Sequence, residues 1–278
     1  MINFNGTITD NTNILAGNRA FLYGDSVFET VKILDGKVLF LEDHYFRLMS
    51  AMRIVRMEIP MNFTMEYFEE QILSTAASEN FSGPCRARIS VYRKEGGFYL
   101  PKDNNVSFLI TVLPLEDSVY RIEKDQYEVE LYKDFIVTKH LLSTIKSSNR
   151  MINVTGSIFA DENGYDNCLL INDEKNVIEA LNGNLFMLMG NKLVTPPISE
   201  GCLNGVMRKQ ILALAKKIET IEVEEAPISP FDLQKADELF ITNVVRGIQP
   251  ITKYRKKEYG MGLAKDLLLR LNAQIRLG

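Results

Sequence analysis

The chain has few of the residues that bind transition metals or form disulfides. Its 278 residues include two histidines, His44 and His140, and three cysteines, Cys85, Cys168 and Cys202. The cysteines are odd in number, far apart and not grouped with a histidine, which fits a reducing compartment and argues against a zinc site. The sequence therefore predicts a cytoplasmic protein without a metal centre.

An excess of positive charge and long apolar runs are also missing. Lysine and arginine total 32 against 36 aspartates and glutamates, so the net charge is −4, and no stretch is strongly basic. This balance argues against binding to nucleic acid or to an anionic membrane surface. No apolar run approaches the roughly 20 residues that span a bilayer. The first residues, "MINFNGTITDN", lack the basic and apolar segments of a signal peptide.

The residues that are present predict a soluble protein of mixed α/β structure. Hydrophobic residues make up 46% and charged residues 24% of a chain long enough for two domains. Apolar residues spaced by three and four predict two helices, around residues 45–55 and 68–76. The runs "RARISVYR" (86–93) and "VSFLITVL" (106–113) predict two strands after them.

The second half of the chain predicts several strands and four helices, one of them a short helix that precedes the strand "ELFIT". The polar stretch 114–126 lacks a sustained period and begins beside a proline, so we interpret it as the connection between a first domain, 1–113, and a second domain, 127–278. The pattern predicts helices that begin near Ser147, Asn204 and Gly262. "GN" at Gly190 and Asn191 predicts a tight turn between two strands.

One lysine, Lys146 in "HLLSTIKSSNRMIN", has an unusual set of neighbours in sequence order. A lysine taken alone is most often a solvated surface charge. Five segments surround this one in the chain: "FLYGDSVFET" (21–30), "HYFRLMSAM" (44–52), "NVIEALNGNLF" (176–186), "LVTPPISEGCLNGVMRKQIL" (193–212) and "ADELFITNVVRGIQPI" (236–251). In this order they resemble the class IV aminotransferases of pyridoxal-phosphate fold type IV, from about residue 3 to residue 253. The resemblance implies a two-domain, D-amino-acid aminotransferase-like fold.

The resemblance also implies a cofactor, pyridoxal 5'-phosphate, and residues that hold its ring. By this resemblance Lys146 is the catalytic amine that carries the cofactor as an internal aldimine and then moves a proton. Glu179 resembles the carboxylate that keeps the pyridine nitrogen protonated, which makes the ring a better electron sink. Asn184 completes the E-x-x-x-x-N-hydrophobic-F pattern, either as a cofactor ligand or as a support for the turn.

A phosphate group needs cations and backbone amides, and a helix N-terminus supplies the amides. "EGCLNGVMR" predicts a turn that runs into a helix, so that the amides of Val206 and Met207 point at the phosphate. Arg47, in an H-x-x-R-L arrangement, resembles the phosphate arginine of the family. The loop after "ELFI" resembles the one that completes the phosphate site, with Thr242 and Asn243.

Two segments predict residues that contact the substrate. "YGDSVFET" resembles the family's N-terminal strand that presents Tyr23 and Phe28 to the substrate, although a tyrosine and a phenylalanine there could equally pack a core. Arg88 alternates onto one strand face with Arg86 and Ser90. Two arginines on one face are unusual unless something anionic or acidic meets them, and Arg88 resembles the residue that serves the substrate carboxylate in branched-chain aminotransferases.

Two related activities compete. "KSSNR" and "LNGVMR" look closer to the 4-amino-4-deoxychorismate lyase pattern than to the branched-chain form. The lyases carry an arginine where this chain has Phe98, and the D-amino-acid transaminases place an arginine and a histidine where it has Phe98 and Leu100. The missing cation favours a transaminase for an apolar, branched-chain-like L-amino acid. Arg246 could replace that cation, in which case the chain is the lyase.

Three further expectations follow. The substrates are an amino acid and a 2-oxo acid. In the family a loop of the neighbouring subunit closes the active site, so the resemblance implies a homodimer. A relative that binds pyridoxal phosphate without turnover is the non-enzymatic alternative, and nothing in the residues named above supports it.

Overall fold

The computed structural model describes residues 1–11, 14, 16–79, 81 and 83–277. They form two compact units, Met1–Ser118 with Ile145–Asn149, and Val119–Thr144 with Arg150–Gly278. The division into domains 1–113 and 127–278 stays a prediction. In the structure the units meet in sequence at Ser118 and Val119, and the short Ile145–Asn149 segment joins the first unit.

The first unit is one antiparallel sheet with two long helices. Its strand order is β2-β1-β6-β5-β3-β4. The elements are β1 (Ile2–Phe4), β2 (Thr7–Thr9), α1 (Arg19–Tyr23), β3 (Ser26–Leu34), β4 (Lys37–Val38), α2 (Leu41–Ile54), α3 (Met65–Ser78), β5 (Cys85–Arg93) and β6 (Val106–Pro114). The predicted helices and strands of this half are confirmed as α2, α3, β5 and β6.

The core of the first unit lies between the sheet and its helices. Val27 and Val31 of β3 and Ile89 of β5 are completely buried, as are Met52 of α2 and Ile72 of α3. Residues of β3 and β5 point alternately to the two sheet faces, because side chains alternate along a strand. One face is therefore closed by the core, and the alternating residues Phe28, Thr30 and Arg88 lie on the other.

The second unit is built on a larger mixed sheet. The strand order is β12-β11-β10-β9-β8-β7-β15-β16, with β13 pairing both β10 and β14. The elements are β7 (Glu128–Val137), α4 (Met151–Glu162), β8 (Asn167–Asn172), β9 (Val177–Ala180), β10 (Gly183–Met189), β11 (Lys192–Thr195), α5 (Val206–Ala215), β12 (Glu222–Glu225), β13 (Glu238–Asn243), β14 (Gly247–Ile251), β15 (Lys253–Tyr254), β16 (Lys257–Glu258) and α6 (Gly262–Leu277).

Most predicted elements of this half are present. Gly190 and Asn191 form the turn between β10 and β11, with Gly190 at φ 60°, a conformation that glycine adopts at no steric cost. The helix predicted from Ser147 is wrong in its start, because α4 begins at Met151. Ser147 instead forms an antiparallel bridge with Val27 of β3. No described helix has both the length and the apolar character required to cross a membrane.

Candidate active site

Lys146 lies in a short segment whose backbone bonds to β3. Its carbonyl oxygen accepts a hydrogen bond from the Phe28 amide at 2.8 Å, and the Ser148 amide donates to the Ser26 carbonyl at 2.9 Å. These bonds engage the backbone of 146–148 with a strand more than 100 positions earlier in the sequence, so this stretch cannot continue α4 backwards. The pairing fixes where the Lys146 side chain leaves the backbone.

The Lys146 amine, the Phe28 ring and the Arg88 guanidinium form one group in the first unit. Lys146 Nζ lies 4.4 Å and Arg88 Cζ 3.6 Å from the centroid of the Phe28 ring. Arg88 Nε donates to Ser90 Oγ at 3.2 Å, and Ser90 is the residue paired with Phe28 across β3 and β5. An aromatic face attracts cations, so the ring holds both charged groups near itself. The structure thus brings together three of the predicted residues.

Arg47 lies on α2, as predicted, and its guanidinium pairs with Glu29 of β3. Arg47 Nε and NH2 donate to the two carboxylate oxygens, each at 2.7 Å. His44 Nδ1 lies 2.7 Å from Glu29 Oε2. Burial alone would raise the pKa of Glu29, but the Arg47 charge and the hydrogen bonds from Arg47 and His44 outweigh it and lower the pKa to about 2. Glu29 is therefore a buried carboxylate that stays ionised.

Sequence reasoning missed Glu29 and His44. The sequence presents His44 as one of two histidines and as the first residue of the H-x-x-R-L arrangement, and Glu29 as part of the "YGDSVFET" segment. A signal was present, because residues three apart on a helix lie on one face, which places His44 beside Arg47. The partner on β3 could not be identified from spacing, since it comes from a different element.

Tyr23 and Phe98 are placed differently from the expectation. Tyr23 is the last residue of α1 and not part of a strand, because Gly24 takes a left-handed conformation (φ 64°) that ends the helix before β3 begins. Phe98 is 83% exposed, so it is not a buried wall within the described residues. The Tyr23 ring lies 5.7 Å from that of Tyr99, next to Phe98 in the chain. Substrate roles for Tyr23 and Phe98 stay predictions.

In the second unit, Glu179, Asn184 and Thr242 stand side by side on three neighbouring strands. Asn184 of β10 pairs with Glu179 of β9 on one side and with Thr242 of β13 on the other. Directly opposed residues of antiparallel strands project to the same face, so the three side chains share one face of the sheet. All three are buried.

Two of these side chains hold the turn that leads into α5. Glu179 Oε2 accepts a hydrogen bond from the Leu203 amide at 2.9 Å, and Asn184 Nδ2 donates to the Leu203 carbonyl at 2.8 Å. A Cβ atom on Gly205 would lie 1.9 Å from Asn184 Oδ1. Any larger residue at 205 would therefore displace the Asn184 side chain, and the start of the helix lies directly against Asn184.

The start of α5 and Thr242 provide groups suited to a phosphate. The helix begins at Val206 after Gly205, and no side chain caps it. Its first amides, from Val206 and Met207, therefore belong to the set that a helix leaves without intrahelical partners. The Thr242 hydroxyl is buried and has no hydrogen-bond partner within the described part of the chain. A buried hydroxyl without a partner is costly, and a phosphate oxygen would satisfy both it and the helix amides.

Asn243 and Arg246 form the turn after β13. Asn243 Oδ1 accepts from the amides of Val245 and Arg246, at 3.1 and 2.9 Å, and Asn243 Nδ2 donates to the Asn182 carbonyl at 3.1 Å. The Asn243 side chain is thus engaged in holding its own loop. Arg246 Nε lies 3.0 Å from Glu123 Oε2, and both side chains are about 40% exposed. The Arg246 charge is therefore already compensated.

The residues present fit pyridoxal phosphate. The first unit presents an amine beside an apolar ring. The second presents a buried carboxylate, an uncapped helix start and a hydroxyl that lacks a partner among the described residues. An amine for the aldehyde, a carboxylate for the ring nitrogen and donors for the phosphate are the three groups that this cofactor requires.

Comparison with known proteins agrees with this fit. The family model described as amino-transferase class IV matches residues 26–254. A putative branched-chain-amino-acid aminotransferase of Methanocaldococcus jannaschii is 30% identical over 259 residues, which are 90% of this chain and 86% of that protein. An aminodeoxychorismate lyase of Vibrio harveyi is 24% identical over 243 residues, 87% of each chain.

The fold is also found among solved structures. The branched-chain aminotransferase of Thermoproteus uzoniensis matches with a TM-score of 0.88 at 21% identity, over 97% of this chain and 92% of the other. The expected two-domain fold type IV architecture is thereby confirmed. The chain belongs to the class IV aminotransferase family, whose members are pyridoxal-phosphate-dependent enzymes.

Proposed function

We propose that the chain is an aminotransferase that moves an amino group between an apolar, branched-chain-like L-amino acid and a 2-oxo acid. The observation that carries the proposal is the group formed by Lys146, Phe28 and Arg88, with Nζ and Cζ at 4.4 and 3.6 Å from the ring centroid. It combines an amine, an apolar surface for an aliphatic side chain and a guanidinium for a carboxylate. The apolar surface and the guanidinium match the side chain and the carboxylate of such a substrate, and the amine matches the aldehyde of the cofactor.

Lys146 is the reactive amine in this proposal. Pyridoxal phosphate, when bound, supplies the electron sink that allows the substrate Cα–H bond to break. Lys146 would hold the cofactor's aldehyde carbon through its amine, and that amine would move the proton from the substrate Cα to the cofactor's C4′. Glu179, buried in β9, holds a proton on the ring nitrogen through its negative charge.

Four residues are assigned to the phosphate. Thr242 donates its hydroxyl, Val206 and Met207 donate their amides, and Arg47 supplies a positive charge. Asn184 and Asn243 act indirectly, because their side chains hold the turn before α5 and the turn after β13. This assignment modifies the expectation from sequence, in which Asn243 itself reached the phosphate.

The substrate side chain is assigned to apolar groups. Burying an aliphatic side chain against the Phe28 ring contributes roughly 1.5 to 3 kcal/mol, whereas a second carboxylate there would compete with the α-carboxylate for Arg88. Arg88 is assigned to the α-carboxylate. Tyr23 and Phe98 are retained as substrate residues from the resemblance, with Phe98 supplied by an exposed loop.

The second candidate function is 4-amino-4-deoxychorismate lyase, which releases pyruvate. It is favoured by Arg246, a guanidinium 40% exposed in the turn that follows Thr242. It is disfavoured by Glu123, which already pairs with that guanidinium. The lyase requires the extra carboxylate of its substrate to displace Glu123.

The two functions are separated by their products. Keto-acid formation from leucine, isoleucine, valine and glutamate, and from D-alanine, is measured beside pyruvate release from aminodeoxychorismate, in wild type and Arg246→Ala. We expect turnover of the branched-chain L-amino acids in both proteins. Rapid pyruvate release that disappears in Arg246→Ala, without leucine turnover, would establish the lyase instead. Borohydride reduction followed by peptide mapping should label Lys146, and label on another lysine contradicts its role.

Two further proposals concern the state of the protein. Homodimer formation is supported by the exposed apolar residues Phe98, Tyr99 and Leu100 in one loop. A cytoplasmic location is supported by the three cysteines, which are buried and free. Burial raises the pKa of Cys168 to about 11 and that of Cys202 to about 12, so neither is a reactive thiolate.

A further inference from the structure

A buried ionic cluster in the first unit holds the Arg47 guanidinium. The cluster consists of Glu29 on β3 and of His44 and Arg47 on α2. The side chains of Glu29 and His44 are 1% and 0% exposed, and that of Arg47 is 11% exposed. The three groups are linked by contacts of 2.7 Å. Such short contacts fix the relative positions of all three side chains.

The geometry of the pair sets the direction of the guanidinium. Glu29 receives hydrogen bonds from Nε and NH2, which lie on one edge of the planar group. A two-point contact to a rigid plane removes its rotation, so the direction of the NH1 group is set as well. Arg47 is consequently oriented before any ligand arrives.

His44 supports Glu29 from the other side. Because the carboxylate is ionised, His44 Nδ1 must donate to Oε2, and burial lowers the pKa of His44, which keeps the ring neutral. His44 Nε2 is buried and has no hydrogen-bond partner among the described residues. The ring therefore contributes one donor to Glu29 and leaves one acceptor unsatisfied.

Burying these charged and polar side chains costs free energy that apolar side chains in the same place would not cost. A buried ion pair is often no more stabilising than apolar residues of the same volume, and an unsatisfied ring nitrogen adds a further cost. Packing alone does not explain why these residue types occupy the core. The need to orient the Arg47 guanidinium explains it.

We propose that Glu29 and His44 are positioning residues that orient Arg47 for the phosphate group of the cofactor. The inference rests on the proposed function, in which Arg47 supplies a positive charge to that phosphate. Glu29 sets the plane of the guanidinium, and His44 sets the position of the Glu29 carboxylate. Neither residue contacts the phosphate itself.

The test compares pyridoxal phosphate with pyridoxal, which lacks the phosphate. The full chain, freed of cofactor, is titrated with each. Glu29→Asp keeps the negative charge but withdraws the carboxylate from Arg47. We expect its affinity for pyridoxal phosphate to fall about tenfold, the loss of one charge-assisted hydrogen bond, while its affinity for pyridoxal is unchanged. The ³¹P resonance of the bound cofactor should shift.

His44 offers a matched pair of variants. The amide of His44→Asn can donate near the position of Nδ1, whereas His44→Leu has no donor. We expect the ratio of the two affinities to stay close to wild type in His44→Asn and to fall in His44→Leu. Equal losses for both ligands in Glu29→Asp and His44→Leu would mean a purely structural role, and would overturn the proposal.

Arg47→Ala separates this inference from the proposed function. A fall in the affinity ratio in Arg47→Ala, without any fall in Glu29→Asp, would reject the positioning role and leave the phosphate role of Arg47 intact. An unchanged ratio in Arg47→Ala would reject both. When both ratios fall, Glu29→Asp should cause no further change in an Arg47→Ala background, as expected for a residue that acts only through Arg47.

Discussion

At the scale of single residues, the two buried carboxylates Glu29 and Glu179 have different surroundings and different proposed roles. Arg47 balances the charge of the ionised Glu29 in the first unit, and the proposed role of Glu29 is to hold the Arg47 side chain. Glu179 accepts a hydrogen bond from the Leu203 amide in the second unit, and its proposed role is to keep the ring nitrogen of the cofactor protonated. In these proposals the same residue type orients a side chain in one place and keeps a ring nitrogen protonated in the other.

Glu179→Gln tests the electrostatic role. The amide oxygen of glutamine can still accept from the Leu203 amide, so the turn before α5 should persist, but the negative charge is lost. We expect the activation free energy of Cα–H cleavage to rise by about 2 to 3 kcal/mol, which slows the step, with a much smaller change in cofactor affinity. Single-turnover absorbance with the best amino acid measures this. Glu222→Gln, an exposed carboxylate in the same sheet, is the control, and equal rates in the Glu179 variant and wild type would exclude the role.

The Glu29 cluster predicts a specific acid sensitivity. The folded pKa of about 2 lies below the ordinary 4.5. Its stabilising contribution is therefore complete above pH 4.5 and is lost as the pH falls from 4.5 towards 2. It amounts to on the order of 3 kcal/mol. Denaturant unfolding between pH 2 and 7 should show a steeper loss in wild type than in Glu29→Gln. Glu58→Gln, at an exposed position, should keep the wild-type slope; parallel curves for all three would contradict the assignment.

At the scale of elements, the sequence predicts the strands and helices that local patterns determine. It misses boundaries that depend on pairing with a distant strand. Residues 86–93 and 106–113 are strands within a residue or two of the prediction, because their alternation matches a half-buried sheet. The helix start at Ser147 was wrong because the backbone of 146–148 pairs with β3, and no local pattern reports a bridge between Val27 and Ser147. The helix after "LNG" was located well, since Gly205 marks its boundary.

Gly205→Ala tests the element that presents the phosphate donors. The added Cβ would lie 1.9 Å from Asn184 Oδ1, so Asn184 must move and its bond to the Leu203 carbonyl is lost. We expect the affinity for pyridoxal phosphate to fall about tenfold or more while the chain remains folded. Calorimetric titration and circular dichroism measure the two effects. Gly83→Ala, where a Cβ meets nothing within 4 Å, should bind normally, and normal binding by the Gly205 variant would refute the argument.

At the scale of the whole molecule, the hydrophobic pattern correctly indicated a mixed α/β chain, but not how residues are shared between its two units. The lysine segment Ile145–Asn149 belongs to the first unit although its flanks on both sides belong to the second. A hydrophobic pattern indicates which residues are buried but not which element they pack against. It therefore could not predict that this segment joins the first unit. The Glu29–Arg47 pair was hidden for the same reason, because it joins a strand to a helix through side chains that each look like ordinary surface charges.

The loop after β5 carries the last prediction, which concerns assembly. Arg19 NH1 donates to the carbonyls of Gly96 and Phe98, at 3.1 and 2.6 Å. This ordered loop nevertheless exposes 84% of Leu100, together with its two aromatic neighbours. An ordered, exposed apolar patch is typical of a surface that binds another protein. We expect a homodimer in which this loop is covered by a second copy.

Leu100→Asp places a charge in that surface. Burying the carboxylate costs a few kcal/mol more than burying leucine, so light scattering at micromolar concentration should show a wild-type dimer and a largely monomeric variant. Because Leu100 contributes little to the core of its own unit, the variant monomer should keep its circular dichroism spectrum. Met61→Asp, at a fully exposed methionine elsewhere in the first unit, should remain dimeric. A wild-type protein that is monomeric and fully active at this concentration would contradict the assembly.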